Sequence, residues 1–302
     1  MYDVIIIGGG PAGITAAVYA SRKKQNTLLI TKEFGGQILW TNSIENYTGY
    51  HLISGLDLIT KFEEHVKQFP VNVVYDDAAA LTVNDDGTFS VRGALIEYQG
   101  KTVIVASGKR PRRLNVPGES DFMGRGIAFC VTCDGPLYAG KDVAVVGGGN
   151  SGVQAALELS GIAQSVYLIV RDGLNADAVM LDKLALAPNL TVMTDSAVKG
   201  IYGQDAVEKV TVNHSPSLQE KELLVQGIFV EIGLEPNSEF VSGLVDRNQN
   251  GEIQVDCRGR TNISGLFAAG DVTSVPDKQI VIAAGDGAKA ALVACEYLLR
   301  LR

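Results

Sequence analysis

Short apolar runs that end in glycine clusters recur along the chain and predict two buried parallel sheets. Each run leads through its glycines into an alanine-rich helix, and a second apolar run follows that helix. Runs of this length bounded by glycine are typical of buried strands, and strands that alternate with helices indicate parallel pairing. The first strand, helix and second strand are predicted at Val4–Ile7, Ala12–Ala20 and Thr27–Thr31, and again at Val143–Val146, Val153–Leu159 and Val166–Val170.

Both halves then continue with short alternating strands and close with an apolar strand that ends in Gly-x-x-Pro. The closing strands are Val103–Ser107, before Gly108–Pro111, and Ile228–Ile232, before Gly233–Pro236. Asp86-Gly87 marks a hairpin. The matching order predicts an α/β fold with two Rossmann-like dinucleotide-binding domains of the three-layer ββα type. The alternating strands are expected at Val71–Tyr75, Ala80–Asn84 and Thr88–Arg92, and at Leu190–Thr194, Val207–Asn213 and Leu223–Val225.

The segment after Pro236 belongs to neither repeat and predicts a discontinuous first domain. It contains an apolar strand that ends in Gly270-Asp271, where a carboxylate could meet a polyol hydroxyl. We expect this tail to complete the first domain, so that the second domain is an insert. The expected boundaries are residues 1–112 and 242–302 for the first domain, and 113–241 for the second.

Two further helices are predicted by their spacing of apolar residues. One runs from Ser54, a suitable N-cap, to Phe69, and its buried face is expected to contain Leu56, Ile59, Phe62, Val66 and Phe69. The other covers Gln279–Leu299.

Composition narrows the classes of function. With 302 residues, 46% of them hydrophobic, the chain can bury two cores, while a net charge of −8 argues against nucleic-acid binding. Met1 leads directly into a strand, so we expect no signal peptide, and no apolar run is long enough to span a membrane. Of four cysteines only two form a close pair, which suits a reducing cytoplasm. Cys257 and Cys295 have no evident role, and we expect both to be buried as small hydrophobic residues.

The first glycine cluster has the spacing of a dinucleotide-binding motif. Gly8, Gly10 and Gly13 follow a strand and open a helix. Such glycines allow a tight turn and a close approach to a pyrophosphate, which meets the positive end of the helix. An acidic residue about 20 positions later often binds a ribose hydroxyl. Glu33 lies at that distance.

The second cluster repeats this pattern with Gly147, Gly149 and Gly152. Arg171 and Asp172 stand where the ribose-binding residue is expected. An acid there favours NAD, because it repels a 2′-phosphate, whereas an arginine accommodates that phosphate. With one of each, we favour NADH over NADPH as the reductant.

Cys130-Val-Thr-Cys133 lies between the two motifs and predicts a redox-active dithiol. A structural zinc site needs four ligands, and the sequence has no second such pair and only scattered histidines. At the first turn of a helix, the helix end lowers the thiol pKa. Asp134 follows directly and could carry the proton that disulfide exchange requires.

These motifs together resemble the low-molecular-weight thioredoxin reductase family over essentially the whole chain. Some stretches are closer to the disulfide reductase part of the alkyl hydroperoxide reductase flavoprotein, which carries an extra N-terminal thioredoxin-like module. This chain begins at the first nucleotide-binding strand, so we expect it to reduce a separate partner. The family motifs are Gly8–Gly13, Gly35–Ile38, Ile44–Tyr47, Cys130–Gly135, Gly147–Gly152 and Ala269–Asp271. The closer stretches are Phe34–Leu39, Cys133–Leu137, Ala176-Asp177, Asp182–Leu184, Val275-Pro276, Lys278–Ile280 and Gly285–Ala290.

The resemblance implies FAD in the first domain and a nicotinamide dinucleotide in the second. It implies that Cys133 faces FAD, that Cys130 attacks the partner disulfide and that Asp134 is the acid/base. It also implies a homodimer, and the lack of further ligands in the sequence leads us to expect no metal site. The implied FAD residues are Gly8, Gly10, Pro11, Ala12, Gly13, Glu33, Gly36, Gln37, Ile38, Asn46, Gly108, Gly270, Asp271, Lys278, Gln279 and Ile280. The implied nicotinamide residues are Gly147, Gly149, Asn150, Ser151, Gly152, Arg171 and Gly233.

The stretch after the second-domain strand departs from the family pattern. NADPH-dependent members carry His-Arg-Arg-x-x-x-Arg there, whereas Val170–Asn175 keeps one arginine. NADH-using relatives have a glutamate where Val170 stands. We therefore expect electrons to pass from NADH or NADPH through FAD to Cys130–Cys133, and then to a thioredoxin- or glutaredoxin-like protein.

Two alternatives to this function remain open at this point. One is a thioredoxin reductase fed by ferredoxin or another carrier, and the other is a ferredoxin–NAD(P) reductase without thiol chemistry. Because nicotinamide and dithiol both belong to the insert yet must reach one flavin, we also expect the insert to swing, with hinges near Pro111–Pro117 and Ser242–Asp246.

Overall fold

The chain forms two compact units. The computed structural model describes residues 1–41, 44–215, 217 and 219–301, and for residue 40 it describes the backbone only. The first unit comprises Met1–Leu39, Tyr47–Arg110 and Glu235–Arg302, and the second comprises Trp40–Asn46 and Pro111–Leu234. The chain therefore leaves the first unit after residue 110 and returns to it at residue 235.

Residues 235–241 group with the first unit, although the sequence assigned them to the insert. Asn237 explains this grouping, because its backbone N–H donates to the carbonyl of Gly108 and its side chain donates to the carbonyl of Ser107, both at 2.9 Å. Where the domains themselves end stays a prediction.

The first unit contains a parallel sheet that continues into antiparallel strands. The elements are β1 (Tyr2–Gly9), α1 (Pro11–Arg22), β2 (Thr27–Phe34), α2 (Gly55–Lys67), β3 (Val71–Tyr75), β4 (Ala80–Val83), β5 (Phe89–Arg92), β6 (Glu97–Val105), β7 (Lys109–Pro111), β17 (Leu266–Ala268) and α6 (Ile280–Arg300). Short 3₁₀ turns cover Gly36–Trp40, Glu239–Val241 and Gly270–Val272. The parallel part has the order β3-β2-β1-β6-β17, and β5 and β4 extend β6 on its antiparallel side.

The second unit repeats this plan. Its elements are β8 (Ile127–Ala128), α3 (Val131–Asp134), β9 (Asp142–Val146), α4 (Asn150–Ser160), β10 (Ser165–Ile169), α5 (Ala178–Leu184), β11 (Leu190–Met193), β12 (Ser196–Gly203), β13 (Val207–His214), β14 (Gln219–Leu224) and β15 (Gly227–Val230), with a 3₁₀ turn at Gly135–Tyr138. The strand β16 (Leu234–Pro236) begins at the last residue of this unit and continues into the first. The parallel sheet has the order β11-β10-β9-β15-β8, and β12, β13 and β14 form a separate antiparallel sheet. β16 pairs with β7, so the two chain crossings form a two-stranded ribbon.

Alternation along β9 produces the layers of the second unit. Ala144 and Val146 pack toward the sheet of β12–β14, whereas Val143 and Val145 pack on the other face with α4. Successive strand residues point to opposite faces, so a fully apolar strand has to be covered on both sides. The predicted α/β class, with two Rossmann-like domains, is confirmed.

The helix α2 shows where the sequence interpretation was right and where it was wrong. Ser54 caps it, with the hydroxyl accepting the N–H of Asp57 at 3.0 Å. Leu56, expected on the buried face, is 67% exposed, and Leu58 is buried instead. At 100° per residue, Leu56 lies roughly 100° from the centre of the buried face, which Leu58, Ile59 and Val66 define.

Within the described part of the chain, none of the helices combines the length and the apolar composition needed to cross a bilayer.

Candidate functional site

The first glycine loop joins β1 to α1 and leaves no room for a side chain at two of its glycines. Gly8 has φ of +116°, and a Cβ there would collide with the carbonyl oxygen of Ala106. A Cβ at Gly13 would collide with the carbonyl oxygen of Gly8. At Gly10 the nearest atom to an added Cβ is the Gly35 oxygen, 4.0 Å away. The tight turn and the open start of α1 suit a pyrophosphate.

Gln37 and Asp271 meet in the same unit from distant parts of the chain. Nε2 of Gln37 donates to Oδ2 of Asp271 at 3.0 Å. Gly270 brings Asp271 next to the glycine loop, because an added Cβ would lie 3.0 Å from the Cβ of Ala12. Burial raises the pKa of Asp271, while the positive charge of Lys278 opposes this rise. A buried carboxylate held by an amide in this place suits the hydroxyls of a ribityl chain.

A buried cluster of ion pairs lies in the same unit and was not predicted. Lys109 donates to Glu252, and Nζ of Lys278 lies 3.6 Å from Oε1 of Glu252 and donates to the carbonyl of Thr273 at 2.6 Å. The side chains of Lys109, Glu252 and Lys278 are only 9%, 12% and 17% exposed. Burial lowers the pKa of Lys278, and the charge of Lys109 lowers it further. The cluster therefore fixes Lys278, one of the predicted cofactor residues.

The remaining predicted FAD residues are placed as follows. The carbonyl of Glu33 lies 2.9 Å from the position of a Cβ on Gly9, so the end of β2 borders the glycine loop, and the Glu33 side chain is exposed. Asn46 is exposed and groups with the second unit. Pro11 and Ala12 begin α1, Gly36 and Ile38 lie in the first 3₁₀ turn, Gly108 precedes β7, and Gln279 and Ile280 cap and begin α6.

The Cys-x-x-Cys motif begins the short helix α3, and its cysteines are joined by a disulfide. Cys130 is the N-cap residue, and its sulfur accepts the backbone N–H of Cys133 at 3.2 Å. Both cysteines are half-buried. A hydrogen bond donated to Sγ of Cys130 would stabilise a thiolate on that sulfur once the disulfide is reduced.

Asp134 ends α3 and is buried. Burial raises the pKa of its carboxyl to about 7. Burial together with the charge of Asp134 raises the pKa of Tyr138 to about 12, and the Tyr138 ring packs against Phe229 with centroids 5.1 Å apart. The carboxyl next to the disulfide can therefore both donate and accept a proton near neutral pH.

Among the described residues, no group of three or more His, Cys, Asp or Glu side chains is placed to hold a metal ion.

The second glycine loop joins β9 to α4 and repeats the geometry of the first. Gly147 has φ of +142°, and a Cβ there would collide with the carbonyl of Glu231. A Cβ at Gly152 would collide with the carbonyl of Gly147. Gly149 is the N-cap of α4 and Ser151 is exposed in its first turn. This loop fits a second pyrophosphate for the same reasons as the first.

The loop after β10 folds back onto this site. The N–H of Asn175 donates to the Gly148 carbonyl at 2.8 Å. Asn150 and Asp177 exchange two hydrogen bonds, one from Nδ2 of Asn150 to Oδ2 of Asp177 at 3.3 Å, and one from the N–H of Asp177 to Oδ1 of Asn150 at 2.8 Å. These contacts hold the loop against the start of α4. The predictions did not include Asp177 as a site residue.

At the tip of this loop Arg171 binds its own neighbour. Nε of Arg171 donates to Oδ2 of Asp172 at 3.1 Å, and the two side chains are 79% and 80% exposed. The positive charge of Arg171 is therefore paired with the carboxylate of Asp172. Gly233, the last predicted nicotinamide residue, accepts the N–H of Arg112 at 3.0 Å through its carbonyl.

Glu231 is a site candidate that the sequence interpretation missed. It directly follows β15, and burial raises its pKa to about 7, with the charge of Glu158 contributing. The available signal was a carboxylate inside the otherwise apolar run Ile228–Ile232.

Comparison with known proteins agrees with this geometry. The chain is 47% identical to the F component of alkyl hydroperoxide reductase from Pseudomonas putida over 99% of its own length and 58% of that protein. It is 44% identical to a Bacillus subtilis protein named NADH dehydrogenase, over 99% of this chain and 59% of that one. The chain thus spans somewhat under three-fifths of the length of these curated relatives.

Solved structures of thioredoxin reductases are similar to this chain over almost their whole length. Thioredoxin reductase from Streptococcus pyogenes has a TM-score of 0.94 and 37% identity, with 99% of each chain covered. Thioredoxin reductase from Giardia duodenalis has a TM-score of 0.91 and 30% identity, again with 99% of each chain covered. The resemblance drawn from the motifs is confirmed.

The family model described as pyridine nucleotide-disulphide oxidoreductase matches residues 2–288. This match takes in both glycine loops and the Cys130–Cys133 disulfide, and it implies FAD and a nicotinamide dinucleotide as cofactors. The chain belongs to the pyridine nucleotide-disulphide oxidoreductase family.

Proposed function

We propose that the protein is a flavoprotein disulfide reductase that uses NADH to reduce a thioredoxin- or glutaredoxin-like protein through its Cys130–Cys133 pair. The observation that carries this proposal is the disulfide at the start of α3, directly followed by a buried carboxyl whose pKa is near neutral. FAD, when bound, supplies the two-electron carrier between the nicotinamide and the disulfide.

The contacts of the two cysteines support different roles for them. The sulfur of Cys130 receives the N–H of Cys133, so the thiolate of the reduced pair is favoured at Cys130. That thiolate attacks one sulfur of the partner disulfide and forms a mixed disulfide, while the other partner sulfur leaves as a thiolate. Cys133, as a thiolate, then attacks Cys130, which restores the internal disulfide and releases the second partner sulfur.

Asp134 supports this exchange by moving protons. With a pKa near 7 it is partly protonated at neutral pH, so it can protonate a leaving thiolate of the partner. It can then accept the proton of the Cys133 thiol before the second attack. One residue next in sequence to the dithiol thus serves both proton transfers.

The donor is proposed to be NADH because of the loop after β10. The carboxylate of Asp172 bonded to Arg171 repels a 2′-phosphate and occupies the arginine. The bonds between Asn150 and Asp177 hold that loop in place. The name of the Bacillus subtilis relative, NADH dehydrogenase, supports the same donor.

The partner is proposed from the thioredoxin reductases of similar structure, whose names specify thioredoxin. A small protein with an accessible disulfide fits the half-buried Cys130. A homodimer and a cytoplasmic location stay predictions, as do the individual cofactor contacts and the swing of the insert.

The test is an anaerobic titration of the FAD-loaded protein with NADH, NADPH and reduced ferredoxin in parallel. We expect NADH to bleach the flavin absorbance, and an added thioredoxin disulfide to restore it. Bleaching by ferredoxin alone would overturn the choice of donor.

Cys130→Ser tests the role of the pair, and Cys257→Ser is its matched control. Cys257 lies outside the pair and is exposed, contrary to the expectation that it is buried. We expect Cys130→Ser to be bleached by NADH but unable to pass electrons to the thioredoxin disulfide, while Cys257→Ser behaves as wild type. Full reduction of the protein disulfide by Cys130→Ser would contradict the proposed function.

A further inference from the structure

Glu231 stands where the strand order of the second parallel sheet reverses. β9 has β10 on one side and β15 on the other, so the chain changes direction across the sheet at this pair. The N–H of Glu231 donates to the Val146 carbonyl at 2.8 Å, and a Cβ on Gly147 would lie 3.5 Å from the Cβ of Glu231. In open parallel sheets, ligands bind outside the carboxyl ends of the strands at this reversal.

The side chain of Glu231 is half-buried, and no described residue hydrogen-bonds to its carboxyl or forms an ion pair with it. Burial, with a smaller contribution from the Glu158 carboxylate on α4, raises its pKa to about 7. The flanking strands β9 and β8 present apolar side chains at Val143–Val146 and Ile127–Ala128. Arg112 approaches the loop that follows Glu231, with its Cδ 3.8 Å from the position of a Cβ on Gly233.

We propose that Glu231 binds the nicotinamide half of the dinucleotide by accepting a hydrogen bond from a ribose hydroxyl or the carboxamide of that half. The inference rests on the proposed function, because it requires a nicotinamide nucleotide in the second unit. The carboxylate of Glu231 would repel the pyrophosphate, so its partner must be a neutral hydroxyl or N–H donor.

The position of β15 in the sheet identifies which half of the dinucleotide Glu231 would contact. The glycine loop after β9 and the Arg171–Asp172 loop after β10 serve the pyrophosphate and the adenine half. β15 lies across the reversal, where the second mononucleotide half binds. The oxidised nicotinamide ring carries a positive charge, so an ionised Glu231 also favours NAD⁺ over NADH.

The test compares NAD⁺ with ADP, which lacks the nicotinamide half, by calorimetric titration of the FAD-loaded protein. Glu231→Ala is expected to weaken NAD⁺ binding about tenfold, the value of one charged hydrogen bond, and to leave ADP binding unchanged. Glu220→Gln, which alters an exposed carboxylate on β14, is the control and should bind both ligands as wild type does. Unchanged NAD⁺ binding, or an equal loss for ADP, would overturn the proposal.

The pH profile separates a direct contact from a structural role. Wild-type affinity for NAD⁺ should rise as the pH increases through about 7, because only the ionised carboxylate is a full acceptor. Glu231→Gln keeps the shape of the side chain and should remove this rise. Glu158→Gln should move the midpoint to lower pH, since it removes a like charge. A rise that persists in Glu231→Gln would refute the assignment.

These measurements do not depend on thiol chemistry. If the protein reduces disulfides normally and Glu231→Ala leaves its affinity for NAD⁺ unchanged, the inference about Glu231 is wrong but the proposed function stands. If Glu231→Ala weakens the binding of NAD⁺ but not of ADP, and the Cys130–Cys133 disulfide is never reduced, the proposed function is wrong but the inference about Glu231 stands.

Discussion

Asp134→Asn should stabilise the second unit at neutral and alkaline pH while it impairs the reduction of a protein disulfide. The carboxyl of Asp134 is buried, with 9% of the residue exposed, and burial raises its pKa from 3.8 to about 7. Asparagine has nearly the same shape and no charge. The substitution therefore removes the cost of burying a carboxylate together with the ability to transfer a proton.

The size of the stability effect follows from the pKa. A rise of about 3 units at 1.36 kcal/mol per unit gives up to about 4 kcal/mol. Because the folded pKa is raised, the favourable effect of the carboxyl is complete below about pH 4 and is lost as the pH rises through about 7. The difference between variant and wild type should therefore be near zero at acid pH and reach its maximum above pH 7.

Chemical denaturation at about pH 3.5 and about pH 8 measures this difference. Asp205→Asn serves as the control, since Asp205 is exposed in the turn between β12 and β13. Stopped-flow kinetics on the same samples should show normal reduction of FAD by NADH and slow reduction of a thioredoxin disulfide. A variant with the pH dependence of wild type, or with undiminished disulfide exchange, would refute the reasoning.

Three further substitutions test the first unit. Gly13→Ala should abolish FAD retention, measured by the flavin absorbance of the purified protein, because its Cβ would collide with the Gly8 carbonyl; a yellow, fully loaded variant would contradict this. Glu252→Gln should lower the free energy of unfolding by about 3 kcal/mol in chemical denaturation, because it leaves Lys109 buried without its carboxylate; an unchanged midpoint would show that water already solvates the lysine. Ser54→Ala should cost about 1 kcal/mol in the same assay through loss of the α2 cap, with turnover retained.

The parts of the fold that repeat a local pattern could be predicted from the sequence. The glycine motifs following apolar strands identified both nucleotide loops, and the structure gives Gly8 and Gly147 the positive φ values that such turns require. The Ser54 cap was predictable for the same reason, since a cap depends on residues only a few positions apart. Periodicity was less reliable for Leu56, because several faces of a short helix satisfy the same spacing.

Contacts between distant segments carried no such signal. Lys109 and Glu252 are 143 positions apart, and nothing in either neighbourhood indicates that both are buried. The bond between Asn150 and Asp177 depends on how the loop after β10 returns to α4. Glu231 could have been found, because a carboxylate within an apolar run of the sequence has to be paired, protonated or used for binding or catalysis.

The order of strands in the second unit links nucleotide binding to thiol chemistry. β9, β15 and β8 are neighbours and run in parallel. The glycine loop, Glu231 and Cys130 therefore all follow the carboxyl ends of adjacent strands in one sheet. β8 ends at Ala128, which is paired with Phe229, and Cys130 and Glu231 each follow two residues later. A Cβ on Gly227 would collide with the Tyr138 ring, which ties the start of β15 to the turn after the dithiol. Any shift of β15 must therefore act on Glu231 and on the surroundings of Asp134 together.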